Sequence, residues 1–520
     1  MTVRHFGFLL GIVLFFVTLL LPTLDSFQST AEMLVAREGV KVEASHLAAS
    51  MQQVLAVLLL MVSWWLTEAV PLPATALLPA ALFPLLKITG IHGTGVYEFT
   101  THNILLNYAS PVIFLFLGGF LIAGAMQKWN LDRRFTLWFL TRGNLADDPR
   151  TILLGMMVTT AFASMWISNT ATAAMMLPLG LGVLSLMGTA PGRSHYSSAM
   201  MLGIAWAASI GGVGTIIGSP PNGIALGILD STLGGQADYR HITFLDWMKF
   251  GVPYVLIFLP FAWFVILRMH PPTGIRLAGG KKSLLEQRAG LGKVGRGEIG
   301  TVVVFLLAVI LWVTNPFWEY LLPPAVAHQL SWLNEYSIGL LCGVLLFFIP
   351  ADLRGGVFLL DWRDTRFVDW GTLILFGGGI ALSDAMFRTG LATWIAQSFT
   401  GLLGEPSTLV MIIAVVFLVN FLTEITSNTA VTSMMVPIVI SIAIRTGENP
   451  VALAVAAAIS ASMAFMLPVA TPPNALVFST GHVQLRDMVR GGIILDIIGW
   501  VLTVLVILVL ADWVFGVVTF

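Results

Sequence analysis

The chain has 520 residues, of which 57% are hydrophobic and 10% charged, and its mean hydropathy is +0.89. A soluble domain carries roughly 25% charged residues, so composition excludes a soluble protein and points to a polytopic chain embedded in a lipid bilayer. A net charge of −1 offers no basic surface for nucleic acid, and the single cysteine, Cys342, excludes a disulfide framework or a thiolate metal site.

A membrane span needs about 20 mostly apolar residues. Eleven segments qualify: 6–24, 50–67, 73–90, 111–127, 200–229, 250–269, 300–314, 337–350, 371–387, 452–480 and 492–515. The first is longer than the roughly 7–15 apolar residues of a signal peptide, and no A-x-A site follows it, so it reads as a retained span. The nine histidines lie outside the spans or at their ends, which argues against a histidine proton relay or a buried metal centre.

Two further apolar stretches, 151–187 and 409–445, carry a polar triplet near their middles. The first holds SNTATAAMMLP from Ser168 to Pro178 and the second SNTAVTSMMVP from Ser427 to Pro437, identical at seven of eleven positions. Another hydroxyl precedes each triplet by four residues, Ser164 and Thr423. One such cluster is equally well explained as polar glue between helices. Two in register favour a transporter binding site. Each stretch is long enough for two short arms, so each reads as a re-entrant hairpin turning at its triplet. Irregular backbone at that depth is tolerated only against protein or a watered cavity.

The repeat extends further. LFLGGFLIAGAMQKWNL from Leu115 resembles LFGGGIALSDAMFRTGL from Leu375, matching Gly118 to Gly378 and Ala125 to Ala385, with Lys128 replaced by Arg388. GSPPN at Gly218–Asn222 answers ATPPN at Ala470–Asn474. Paired prolines break a helix, so 200–229 and 452–480 read as discontinuous spans with free carbonyls at Gly218 and Ala470. An odd number of spans separates equivalent elements, which makes the halves an inverted-topology repeat. The chain thus divides into a first helix and external loop (1–48), a first repeat (49–270), a basic linker read as a solvated loop (271–298) and a second repeat (299–520).

With the N-terminus in the cytoplasm, 19 Lys and Arg fall on the cytoplasmic side and 7 outside, the asymmetry expected of an inserted protein. The C-terminus is then external, and the membrane is expected to be a bacterial inner (cytoplasmic) membrane.

A hairpin tip exposes a helix N-terminus, whose N–H groups and positive dipole end favour an anion. Asn amides and Ser and Thr hydroxyls supply donors for carboxylate and oxygens for a hard cation. No Lys or Arg lies near either triplet in sequence. A bound anion must then be offset by helix dipoles and co-bound cations, which predicts cation coupling.

The double SNT, the TEITSNT run at Thr423–Thr429, the TPPN at Thr471–Asn474 and the WLTEAVPLP run at Trp65–Pro73 resemble the divalent anion:sodium symporter family of INDY-type di- and tricarboxylate transporters, over nearly the whole chain. The resemblance implies an all-α fold with about eleven transmembrane helices and two re-entrant hairpins, working as an elevator in a homodimer. It implies one Na⁺ site at Ser164, Ser168, Asn169 and the Gly218 carbonyl, and another at Thr423, Ser427, Asn428 and the Ala470 carbonyl. The dicarboxylate would touch Asn169, Thr170, Asn428 and Thr429, with Ser219, Pro220, Thr471 and Pro472 close by. Thr at the third SNT position in both repeats favours succinate, malate or fumarate.

Alternatives on the same fold are a Na⁺-independent dicarboxylate exchanger and a citrate or sulfate transporter. A channel is disfavoured by the inverted repeat, and an enzyme by the lack of any nucleophile–base set, metal-ligand spacing or phosphate loop. Among acids in apolar sequence, Glu424 divides evenly between a structural hydrogen bond and a proton or cation role. Asp384 and Asp496 read as structural, and Glu68 as interfacial. The 22 Met and 16 Trp read as lipid-facing packing and belt residues.

Overall fold

The computed structural model describes residues 3–40, 42–142, 148–187, 195–236, 239–272, 280–403 and 407–515. Lys41, Arg193 and Arg276, which entered the charge asymmetry, lie outside the described residues, as does the extreme C-terminus.

The chain opens with α1 (Val3–Leu20), α2 (Asp25–Glu38) and α3 (Ala44–Thr67), and α3 packs against both others. Segment 73–90 is two short helices, α4 (Leu72–Ala76) and α5 (Leu78–Leu85), rather than one span. Pro79, in the first turn of α5, has no N–H to bond back into α4 and so prevents one continuous helix, whereas Pro73 opens α4 and Pro84 is accommodated within α5. A small hairpin, β1 (Thr89–His92) with β2 (Gly95–Glu98), leads to α6 (Thr101–Tyr108), α7 (Pro111–Lys128) and α8 (Leu131–Leu140).

The first SNT stretch forms two helices, α9 (Pro149–Ser164) and α10 (Asn169–Leu186), meeting at the triplet. The first PPN stretch is α11 (His195–Gly211), two 3-10 turns, and α12 (Pro220–Leu233). Then comes α13 (Phe244–Met269), started by a capping box between Thr243 and Asp246.

The linker is not simply a loop. It contains α14 (Gly280–Gly290), which packs on α8 and donates from Arg288 to the Thr141 hydroxyl at 3.3 Å. Its exit is stapled by Arg134, whose Nε donates to Glu298 at 2.7 Å while its Nη atoms donate to the Leu291 and Gly292 carbonyls.

The second half runs through α15 (Arg296–Thr314), α16 (Trp318–Leu321), α17 (Pro324–Gln329) and α18 (Glu335–Leu345). A second hairpin, β3 (Pro350–Asp352) with β4 (Val357–Phe358), precedes α19 (Trp370–Thr389) and α20 (Leu391–Leu403). The second SNT joins α21 (Thr408–Leu422) to α22 (Asn428–Thr446). The second PPN separates α23 (Pro450–Ala461) from α24 (Pro472–Ser479), and α25 (Leu485–Phe515) closes the fold.

Among the described residues, the regular structure is helical apart from the two short hairpins. Ten described helices are long and apolar enough to cross a membrane, against eleven spans expected. Segments 73–90, 337–350 and 452–480 are shorter or broken, whereas α10 and α22, expected as hairpin arms, reach 18 and 19 residues.

The repeat glycines explain the close packing of the halves. A Cβ on Gly118 would fall 2.1 Å from the Gly339 carbonyl of α18, and one on Gly378 would fall 2.2 Å from the Ala76 carbonyl of α4. Both are helix crossings that only a bare backbone permits. Not all tryptophans face lipid: Trp65, Trp206, Trp247 and Trp312 are fully buried. Trp247 donates to the Val213 carbonyl at 2.9 Å and Trp312 to that of Glu335 at 3.0 Å. Core and belt draw on the same residue types, so composition could not separate them.

Candidate functional site

Ser168 caps α10, its hydroxyl accepting from the Ala171 amide at 3.4 Å, and Asn169 is the first residue of that helix. Ser427 holds the same place before α22 but makes no side-chain cap bond. The two tips meet at one cavity of about 530 Å³, within the roughly 300–1,000 Å³ of small-molecule sites. Asn169, Thr170, Asn428, Thr429, Ser219, Pro220, Thr471 and Pro472 all line it, together with Ser168, Ser427 and Ala470. Ser164, Gly218 and Thr423 do not line it and are buried.

Four helices begin at this cavity: α10 at Asn169, α22 at Asn428, α12 at Pro220 and α24 at Pro472. Their positive ends converge on one volume; α10 and α22 also bring first-turn N–H groups, whereas α12 and α24 open with proline pairs that have none. No Lys or Arg is among the described lining residues. An anion held here is held by helix ends, amides and hydroxyls.

The C-terminal ends of the preceding helices make a different environment behind each tip. Ser164, the last residue of α9, has its hydroxyl 2.7 Å from both Asn169 Oδ1 and the Ala208 carbonyl oxygen. Asn169 Oδ1 also lies 3.0 Å from the Ala208 oxygen and 3.3 Å from the Gly218 oxygen. Four oxygens therefore converge with a single hydroxyl proton among them. Such a cluster is satisfied by turning the amide so that its nitrogen donates, or by a hard cation taking the oxygens as ligands. A Cβ on Gly218 would fall 2.6 Å from the Gly212 carbonyl and 3.0 Å from those of Ser164 and Met165, so this niche is walled by backbone oxygen. In the second repeat the Thr423 hydroxyl lies 2.6 Å from Asn428 Oδ1 and 2.7 Å from the Ala461 carbonyl. The same three groups recur, and again one proton serves two acceptors.

The helix breaks are closed by the asparagine of each PPN. Asn222 Nδ2 donates to the Gly212 and Thr215 carbonyls at 2.9 and 2.8 Å, and Asn474 Nδ2 to those of Ala464 and Leu467, both at 3.1 Å. Each satisfies carbonyls the break sets free. Glu424 carries a structural load: its carboxyl accepts from the Phe465, Met466 and Leu467 amides at 2.5, 2.9 and 3.1 Å. Asp496 is fully buried beside it. Asp384 accepts from Arg388 at 2.5 Å. The halves touch where the Ser219 and Ser462 hydroxyls lie 3.2 Å apart.

Sequence reasoning missed the Ala208 and Ala461 carbonyls, because any residue supplies a main-chain oxygen; only their place before each break could have found them. It also missed the opposite wall, where Glu68, Asp369 and Thr372 line the cavity. Asp369 accepts from the Thr372 amide at 3.0 Å and its hydroxyl at 2.7 Å. Glu68, expected at the interface, ends α3 in a left-handed conformation, 3.5 Å from Arg4, and faces the site.

A family model described as the sodium:sulfate symporter transmembrane region matches residues 42–517. The sodium-dependent dicarboxylate transporter SdcS of Staphylococcus saprophyticus is 35% identical over 524 residues, covering 98% of this chain and 92% of its own. SdcS of Staphylococcus aureus is 34% identical over 477 residues, or 89% of this chain and 86% of its own. Among solved structures, the YdaH transporter of Alcanivorax borkumensis aligns with a TM-score of 0.53 at 14% identity, over 86% of this chain and 97% of that one. MtrF of Neisseria gonorrhoeae aligns at 0.52 and 15% identity, over 88% and 97%. At such identities these two show a common fold and nothing finer.

Proposed function

The chain belongs to the divalent anion:sodium symporter family, a family of membrane transporters and not of enzymes, and from that premise we propose that it carries C4 dicarboxylates such as succinate, malate or fumarate across the bacterial inner membrane together with Na⁺. The observation that carries this reading is the convergence of four helix N-termini on a cavity whose described lining residues include no Lys or Arg. Four helix ends at about half a charge each sum to about +2, but the acidic side chains of Glu68 and Asp369 in the lining work against that charge, so a dianion needs cations beside it. The SdcS relatives, named for sodium-dependent dicarboxylate transport, support the same conclusion.

One Na⁺ is held by Ser164, Ser168, Asn169 and the Gly218 carbonyl, with the Ala208 carbonyl as a further ligand. The other is held by Thr423, Ser427, Asn428 and the Ala470 carbonyl, with that of Ala461. Both ions are cargo. Each asparagine gives its oxygen to the cation behind it, leaving its nitrogen for a carboxylate in front; Thr170, Thr429, Ser219 and Thr471 add hydroxyls, and Pro220 and Pro472 border the pocket. Cation and dianion thereby bind through shared residues, and neither site is complete without the other. The tips and broken helices move together as an elevator against the rest of a homodimer, with the N-terminus cytoplasmic and the C-terminus external.

Uptake into vesicles reconstituted with the purified protein tests this. An inward Na⁺ gradient should drive succinate accumulation into vesicles that contain no dicarboxylate. Accumulation only from vesicles preloaded with dicarboxylate, without Na⁺, would make the chain an exchanger. Competition by sulfate or citrate but not succinate would reassign the substrate.

A further inference from the structure

Away from the cavity, a cluster of charged and phenolic groups joins the site-bearing helices to a neighbour. Asp230, near the end of α12, accepts from the Tyr239 hydroxyl at 2.7 Å, from His241 Nδ1 at 2.9 Å and from the Tyr336 hydroxyl at 2.7 Å. His241 Nε2 pairs with Glu335, the first residue of α18, whose side chain is only 8% exposed. One imidazole thus bridges two carboxyl groups from segments about a hundred positions apart; with both carboxyl groups ionised, the ring donates from both nitrogens and carries a charge. The neighbouring Arg240 and Lys249 are both taken up by Asp246, at 3.2 and 3.0 Å. Beside the cluster, Phe244 of α13 stacks on Trp312 of α15 with centroids 4.3 Å apart.

The two sides of this contact have different allegiances. Asp230 and His241 lie on the stretch from α12 to α13, and α12 begins at Pro220 on the cavity, so Asp230 sits ~15 Å along the same rigid helix at 1.5 Å per residue. Glu335 and Tyr336 lie on α18, which packs chiefly against α7 and α15, whereas α12 packs chiefly against α19, α22 and α23 and only secondarily against α7. We infer that His241, clamped between Asp230 and Glu335, is a latch that holds α12 to α18 and favours the engaged conformation over one in which these helices have separated. The latch rests on the elevator movement proposed for the transport cycle, since without such movement there is nothing to hold.

Acidity gives the latch a signature. Burial alone would lower the His241 pKa, but its bonds to Asp230 and Glu335 and their charges raise it to about 10. Released from Glu335, the ring falls back towards the ordinary value of about 6.5. Below that value both states are protonated and pH has no effect on the balance. Above it, separation sheds a proton, so rising pH favours the separated state by at most about tenfold per unit until the engaged ring itself titrates near 10.

The test uses spin labels at Ser231→Cys and Ser331→Cys, both exposed positions flanking the cluster, in full-length protein in lipid nanodiscs; Cys342 is buried. Distance distributions are recorded with Na⁺, with and without succinate, at pH 7 and pH 9. The expected result is that His241→Gln raises the ratio of separated to engaged molecules about tenfold or more, since hydrogen bonds to charged groups are worth about that much. Tyr336→Phe should raise it a few-fold with little risk to folding. Wild type should shift towards separation at pH 9, and His241→Gln should not. Unchanged distributions in both variants would overturn the latch. A single fixed distance in wild type whose Na⁺-driven uptake is intact would also overturn it, while sparing the transport reading.

Discussion

The two polar turns present the same face to the cavity and are held from behind by different chemistry. In each, a hydroxyl five residues before the asparagine bridges the amide oxygen and a carbonyl from the end of the neighbouring helix. Behind the first, Met165 contributes only its main-chain oxygen, to the Thr215 hydroxyl, whereas at the equivalent place behind the second Glu424 gathers three backbone amides. The first break is wound into 3-10 turns at Gly212–Gly214 and Ile216–Gly218, and its backbone bonds itself more fully. The second, over 462–471, has no regular helix and needs a side chain to occupy its free donors. The groups that face the cavity repeat in kind. Groups behind it need only satisfy the backbone, which can be done in more than one way.

Copying the first support into the second breaks this comparison most severely. Glu424→Met should orphan three amides, that of Phe465 buried and those of Met466 and Leu467 half-buried, and cost about 3 kcal/mol, read as a large fall in melting temperature of the purified protein. The size-matched Met165→Leu should cost under about 1.5 kcal/mol. Equal losses would mean that Glu424 is not a backbone clamp.

The asparagines come next. Asn169→Ala and Asn428→Ala should each weaken Na⁺ and succinate binding together, by roughly 1–3 kcal/mol, as measured by calorimetry on each variant. A loss confined to one ligand, or to one repeat, would break the equivalence of the two turns.

Gly218 and Ala470 sharpen the contrast between the niches. A methyl at 218 would press on three carbonyl oxygens, so Gly218→Ala should cost about 1–3 kcal/mol of packing and raise the Na⁺ concentration for half-maximal uptake. Ala470→Gly should cost about 0.5–1 kcal/mol, through backbone entropy. The smallest difference lies at the caps: Ser168→Ala removes a cap bond worth ~1 kcal/mol, whereas Ser427→Ala removes none and should change stability in Na⁺-free buffer by less than about 0.5 kcal/mol.

Much of the site was legible because polar triplets and paired prolines stand out against apolar sequence and recur at a constant spacing. The repeat brought Asn169 and Asn428 to one cavity as expected. What stayed hidden was chemistry that leaves no mark on residue identity. The carbonyls of Ala208 and Ala461 belong to residues any helix could carry, and the role of Glu424 depends on where the second break falls in space. Asp369 and Glu68 reach the cavity from distant segments, and the bridge made by His241 joins positions 230 and 335, a pairing no local pattern encodes. The helix Gly280–Gly290 was obscured by its glycines and lysines, which read equally well as a solvated loop.

Whether two opposed turns hold a dianion only with cations behind them is read from succinate binding to the purified protein across a Na⁺ titration with choline as the replacement ion. Binding should be undetectable in choline, rise steeply with Na⁺, and fall equally in Asn169→Ala and Asn428→Ala. Undiminished succinate binding in choline would contradict the cation requirement.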